Sequence, residues 1–116
     1  MNIKVEHHKN GQIKRLEIRD ENDKLHNPDG PAIQYWYDNG QEMRRVYWLH
    51  GERHNPDGPA YQSWYGDGTQ EYVAYWLNGK QLTEAEFNKQ KDTVLVACNG
   101  KEVSISRKSA EAMNLI

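Results

Sequence analysis

The sequence predicts a mainly β protein, an antiparallel meander of β-hairpin repeats with a C-terminal helix–hairpin–helix cap. Three observations carry this expectation. The heptapeptide His26-Asn27-Pro28-Asp29-Gly30-Pro31-Ala32 returns unchanged as His54-Asn55-Pro56-Asp57-Gly58-Pro59-Ala60, and fifteen of the 28 positions that start at each copy are identical. A fixed period of that size marks a repeat architecture. Asn-Gly and Asp-Gly pairs, at Asn10-Gly11, Asn39-Gly40, Asp67-Gly68 and Asn78-Gly79, punctuate alternating segments and read as hairpin turns.

These signals divide the chain into a repeat sheet over 1–82 and a cap over 83–116. The sheet comprises a degenerate first unit, 1–25, and full repeats 26–53 and 54–82. In the first unit, Ile3-Lys4-Val5 reads as a short strand and 12–19 as a second. Residues 20–24 form a polar turn. The stretch 18–25 lines up loosely with 46–53, as a terminal repeat that caps an array.

Each full repeat opens on turn chemistry. Asn27 suits the first turn position, where its side chain bonds the backbone two residues on; Pro28 presets φ, and Gly30 is expected to supply a positive φ. Pro31 then begins a strand, where a missing N–H is tolerated. Strand 32–37 leads to the turn at Asn39-Gly40, 41–49 returns, and His50-Gly51 turns again. Repeat two follows the same course. Alternation places Ala32, Gln34 and Trp36 on one face and Ile33, Tyr35 and Tyr37 on the other. The first set recurs as Ala60, Gln62 and Trp64, so Trp36 and Trp64 are expected to stack across units. The second set varies, becoming Tyr61, Ser63 and Tyr65.

Beyond Leu82 the pattern stops. Thr83 and Glu86 form a capping box that predicts a helix over 84–91, with Phe87 expected to cover the open end of the sheet. Strands over 94–98 and 102–105, joined at Asn99-Gly100, precede a helix from Arg107 to about Asn114 capped by Ser106. Cys98, the one cysteine, reads as a small buried hydrophobe, which fits a reducing compartment.

Composition bounds the function. Mean hydropathy is −1.06 and only 36% of residues are hydrophobic, so the core is expected to be thin. Every aromatic residue lies between Tyr35 and Phe87. The same stretch, 26–88, holds four basic and nine acidic residues. That balance argues against nucleic acid and favours a protein partner with a basic surface. No apolar run approaches the roughly 20 residues of a membrane helix, so a cytoplasmic protein without membrane association is expected.

His26 with Asp29, and His54 with Asp57, form the most suggestive polar set. Their spacing within a Pro-Gly turn carries no metal-ligand geometry, so His26, Asp29, Gly30, His54, Asp57 and Gly58 read as structural turn residues. No nucleophile–base set, P-loop or dinucleotide fingerprint is present. The chain is therefore expected to be no enzyme, with no cofactor and no bound metal. The candidate partner-binding residues are Tyr35, Tyr37, Arg44, Arg45, Trp48, Tyr61, Tyr65, Tyr72 and Trp76, because Tyr, Trp and Arg dominate binding hot spots.

The series His-x-x-Asp-Gly-Pro-Ala, an aromatic strand, a Gly turn and Tyr-Trp-Leu-x-Gly-Lys resembles MORN-like repeats. The longer variant in the YwqK-type antitoxin family and in uncharacterised phage proteins is the nearest in form. The resemblance covers about 26–88. It implies a meander of hairpins and a non-enzymatic, protein-binding use. On that reading the expected role is a small phage-type inhibitor that blocks a bacterial protein or defence complex, such as an anti-CRISPR or other anti-defence protein, acting in the host cytoplasm. The alternatives are an antitoxin or immunity protein and, from another class, a metal- or nucleic-acid-dependent enzyme.

Overall fold

The computed structural model describes residues 1–91, 93–98, 100–112 and 114. The chain divides into two compact units, Met1–Leu82 and Thr83–Ile116.

The first unit is built from β1 (Asn2–His7), β2 (Ile13–Arg19), β3 (Ile33–Trp36), β4 (Glu42–Val46), β5 (Trp48–Leu49), β6 (Glu52–Arg53), β7 (Tyr61–Trp64), β8 (Gln70–Leu77) and β9 (Lys80–Leu82). Seven strands form one antiparallel meander in the order β1-β2-β3-β4-β7-β8-β9, and β5 and β6 pair separately between β4 and β7. The first hairpin is longer than Ile3-Lys4-Val5 implies, because the ladder runs from Asn2↔Arg19 to His7↔Ile13.

Three hairpin ends share one construction. The N–H groups of His8, Tyr37 and Tyr65 donate to the carbonyls of Gln12, Gln41 and Thr69 at 2.8–2.9 Å. Within each turn the side-chain oxygen of Asn10, Asn39 or Asp67 accepts the N–H two residues on. Gly40 and Gly68 then take φ of +89° and +92°, a conformation a β-carbon resists. The register slips by one residue beside each turn, between Glu6 and His7, Tyr35 and Trp36, and Ser63 and Trp64. Such a bulge with a left-handed glycine is how a three-residue hairpin loop closes.

Smaller hairpins lie at the other end of these strands. His50-Gly51 and Asn78-Gly79 both place two successive residues at positive φ, the signature of a tight two-residue turn. The first unit differs here. Arg19 bridges Leu25 across five residues, 20–24, whereas Trp48 pairs with Arg53 across four. The extra residue shifts the alignment: Ile18 N–H donates to the Ala32 carbonyl as Tyr47 N–H donates to that of Ala60, each at 2.8 Å. Ile18 therefore matches Tyr47, not Val46. Ahead of the loop, the first hairpin is displaced by one residue from the 28-residue period.

The core is thin. Ala32 and Ala60 have no exposed surface, and Val46, Ala74 and Leu82 complete the buried apolar set among the described residues of this unit. Both main-chain groups of Ala32 lie in the ladder, its N–H donating to the Val46 carbonyl and its carbonyl accepting from Ile18. In the slot equivalent to Val46 and Ala74 the first hairpin carries Glu17, 2% exposed, clamped by Arg15 and Arg19 from the same strand face. The paired guanidiniums, Arg15 foremost, hold its carboxyl below the usual range in spite of burial.

The second unit contains α1 (Glu84–Lys91), β10 (Thr93–Cys98), β11 (Lys101–Ser106) and α2 (Arg107–Ala112). The capping box forms: Glu86 N–H donates to Thr83 Oγ1 at 3.1 Å, and Thr83 N–H to Glu86 Oε1 at 3.0 Å. Phe87 is 2% exposed. β10 and β11 pair in register from Thr93↔Ser106 to Cys98↔Lys101. The side-chain environment of Cys98, the Asn99 position of the turn and the apolar contribution of Met113 and Leu115 lie outside the described residues. Among the described residues no helix is long and apolar enough to cross a membrane.

Candidate functional site

Strand register sorts the partner-binding candidates by face. One cross-strand row reads Glu6, Arg15, Tyr35, Arg44, Ser63, Tyr72, and the row beside it reads Lys4, Glu17, Ile33, Val46, Tyr61, Ala74. The reverse face carries the row Val5, Leu16, Gln34, Arg45, Gln62, Val73. Tyr35, Arg44, Tyr61 and Tyr72 thus share a face, and Trp48 and Trp76 join it through Arg53.

Arg53 is the centre of that group. Its guanidinium carbon lies 5.3 Å from the Trp48 ring, 5.4 Å from Tyr61 and 5.1 Å from Trp76. Arg44 lies over Tyr35 at 5.4 Å and over Tyr61 at 5.8 Å. Tyr61 and Tyr72 meet edge to face at 5.6 Å. Cation–π contacts of this kind each stabilise by roughly 0.5–1 kcal/mol where exposed and by more where desolvated. Tyr72 remains 51% exposed.

Ion pairing separates the arginines. Arg15 and Arg19 pair with Glu17, and Arg45 pairs with Glu42, Nε to Oε1 at 2.5 Å. Arg44 and Arg53 have no ion pair among the described residues. Much of the acidic surplus of 26–88 lies elsewhere, in the turns of Asp29 and Asp57, at the hairpin ends of Asp38 and Asp67, and against Arg45, while Glu71 accepts from Ser63 Oγ at 3.2 Å. A regional charge count therefore describes mainly the rim, and among the described residues the aromatic face carries two cations without an ion pair, Arg44 and Arg53.

Three candidates stand apart from this face. Arg45 lies on the reverse side, 5.2 Å from the Trp64 ring. Among the described residues Trp36 and Trp64 do not stack as the alternation predicts; a guanidinium takes the place of a partner ring. Tyr37 follows the bulge, and its hydroxyl donates to the Trp64 carbonyl at 2.9 Å, which commits it within the sheet. Tyr65 is the equivalent residue at the next hairpin end and is 51% exposed.

The duplicated heptapeptide behaves as a turn held by side chains. Asn27 Oδ1 accepts from Asp29 N–H and its Nδ2 donates to the Pro31 carbonyl, each at 3.1 Å. Asn55 does the same with Asp57 at 3.1 Å and Pro59 at 2.9 Å. Gly30 and Gly58 do not adopt the positive φ that the turn signature suggests, because the asparagine side chain closes the loop in place of a left-handed residue. His26 Nδ1 accepts from His50 N–H at 3.0 Å, and His54 Nδ1 from Asn78 N–H at 2.9 Å. The two turns and Gln62 bound an open cleft of about 500 Å³.

His26 also stacks on His50, ring centres 4.0 Å apart at 25°, and His50 Nδ1 donates to Asp20 Oδ2 at 3.1 Å. Asp20, His26 and His50 bring three potential metal donors within 4.8 Å. His26 Nδ1 and both Asp20 oxygens already accept hydrogen bonds. Asp20 Oδ1 accepts from Asn22 and Lys24 N–H groups at 2.8 and 3.0 Å, which, led by Lys24 and with His50 contributing, holds its carboxyl below the usual range. A ring donates to a metal in its own plane, and two near-parallel stacked rings do not aim at one ion. The cluster braces a turn and would have to rotate to coordinate. Asp20 and His50 escape a sequence reading because 30 residues separate them. Arg53 escapes because it replaces Leu25 and Gln81 in a slot the repeat leaves variable.

No protein-family model, curated protein or solved structure matches the chain.

Proposed function

We propose that this chain is a non-enzymatic protein-binding module, a small phage-type inhibitor that occupies a surface of a bacterial protein or defence complex. Its meander is read as MORN-like hairpin repeats, the second unit as their helix–hairpin–helix cap, and the cytoplasm as its place of action. One observation carries the reading: Tyr35, Arg44, Trp48, Arg53, Tyr61, Tyr72 and Trp76 share one face, on which Arg44 and Arg53 have no ion pair among the described residues. Clustered Tyr, Trp and Arg are the residue types that dominate interface energetics. The acidic rim suits a partner of positive overall charge through long-range steering.

Capture from bacterial lysate by the immobilised chain, followed by identification of what is retained, tests the proposal. Tyr61→Ala and Tyr72→Ala should each lower retention at least tenfold, the scale of a hot-spot truncation. Leu16→Ala on the reverse face should leave retention unchanged. Retention that ignores both tyrosines would overturn the assignment of this face.

A further inference from the structure

We infer that Arg53 is the anion-receiving point of this face, and that the partner places a single carboxylate side chain beside it. The inference rests on the protein-binding reading above and names the chemistry of its central contact.

Three observations converge on one place. Arg53 is half-buried among Trp48, Tyr61 and Trp76, and it has no carboxylate partner among the described residues. Aromatic rings offer a guanidinium their π clouds and no lone-pair acceptor for its N–H groups. Second, the indole Nε1 atoms of Trp48 and Trp76 are buried with no hydrogen-bond partner. A buried donor left unsatisfied is destabilising, and each such group in a native protein calls for an explanation. Third, Arg53, Tyr61, Tyr72, Ala74, Trp76 and Gln81 line a cleft of about 290 Å³. The Arg53 guanidinium and the two buried indole N–H groups are donors, so the complement they call for is an acceptor. A carboxylate matches the guanidinium fork bidentately and needs no room beyond one side chain.

The position of the acidic residues selects a carboxylate over a nucleic-acid strand. A strand that tracked across the sheet would bring successive phosphates past the carboxylates at the hairpin ends and in the heptapeptide turns. One acidic side chain entering the cleft avoids them.

The test uses the full chain and a minimal probe. Acetyl-Gly-Glu-Gly-amide is titrated into ¹⁵N-labelled protein while the Arg53 Nε–H and the four indole resonances are followed. The Arg53, Trp48 and Trp76 signals should move together, and the Gln peptide should move none of them. Arg53→Gln should weaken the Glu peptide about tenfold or more, the scale of a charge-assisted hydrogen bond, and Arg53→Lys should restore part of it. The backbone spectrum of each variant establishes that the sheet is intact. Shifts with hexathymidylate but not the Glu peptide would overturn the inference in favour of nucleic acid, and equal shifts with the Gln peptide would overturn the charge argument. Lysate capture separates the two levels. If Arg53→Gln leaves retention intact while Tyr61→Ala abolishes it, the carboxylate contact falls and the protein-binding face stands. If neither changes retention, both fall.

Discussion

Replacement of Asn55 by alanine tests whether the heptapeptide turn is held by its asparagine. Asn55 is 9% exposed, its Oδ1 accepts from Asp57 at 3.1 Å and its Nδ2 donates to Pro59 at 2.9 Å. Truncation removes both bonds and leaves two main-chain groups without their partner. A net contribution of about 1 kcal/mol per neutral hydrogen bond gives about 2 kcal/mol for the pair. Asp57 is exposed, so water can reach its freed N–H and keeps the loss from growing much further. For a sheet of this size that corresponds to a fall of about 8–16 °C in Tm. Urea unfolding followed by tryptophan fluorescence measures it by linear extrapolation. Asn27→Ala removes the equivalent pair from a less buried residue and should cost less. Asn55→Asp supplies a further check, since it keeps the acceptor and sets a carboxylate against the Pro59 carbonyl. The folded-state pKa of that aspartate should be raised, so its contribution is fully present below about pH 4 and lost as pH rises through the folded value. A cost below about 0.5 kcal/mol for Asn55→Ala, the scale of an uninvolved surface change, would refute the reasoning, as would a larger cost at Asn27.

Glu17→Gln should lower stability by about 1.5–3 kcal/mol, the range for hydrogen bonds to a charged group, whereas Glu17→Val, which installs the residue found at Val46, should be close to neutral because the freed guanidiniums can reach water; urea midpoints at pH 7 compare them. Glu17, Asp20 and Asp67 all have depressed folded-state pKa values, owed chiefly to Arg15, Lys24 N–H and the Thr69 hydroxyl respectively. Their stabilisation is present above the ordinary carboxylate range and is lost as pH falls through the folded values, so the urea midpoint should decline below about pH 4 and decline less in Asp20→Asn. Gly40→Ala and Gly11→Ala should each cost about 1–2 kcal/mol for a β-carbon held at positive φ. The two costs should agree, because the three atoms nearest the Gly40 β-carbon belong to the movable Gln12 side chain; a much greater loss at Gly40, read from thermal melts, would show that Gln12 is fixed.

Much of the sheet was legible in the chain because its signals are local. Asn39-Gly40 and Asp67-Gly68 fix the hairpin ends, and alternation from Ile33 to Tyr35 and from Tyr61 to Ser63 assigns faces correctly. Thr83 and Glu86 mark the start of α1 for the same reason. The bulge was not legible. A register slip beside Trp36 and Trp64 leaves no trace in composition, so strict alternation places Tyr37 with Tyr35, although its hydroxyl turns to the neighbouring hairpin. The one-residue longer loop at 20–24 hid the correspondence of the first hairpin, since a comparison at a single offset aligns only one side of it. The placement of charge was not legible for a related reason. The sum over 26–88 is negative, but pleating sends Arg44 to the aromatic face and Arg45 to the reverse, and only pairing shows which arginine is free. The Asp20–His26–His50 cluster depends on contacts between successive turns, which no local pattern encodes.

Four side-chain bonds to carbonyls at the hairpin ends all point the same way along the chain. His8 reaches the Trp36 carbonyl, Tyr37 that of Trp64, Asn10 that of Asp38, and Asn39 that of Gly66. Each hairpin thus hands its side chains to its successor. An additional 28-residue segment inserted after residue 81 would find the Tyr65 hydroxyl waiting at the station Tyr37 holds, whereas Asp67 would need an amide to repeat the bond of Asn39. Such an array can lengthen by gene duplication with little redesign, and its aromatic face lengthens with it. Reach across a partner surface then becomes a quantity that copy number sets.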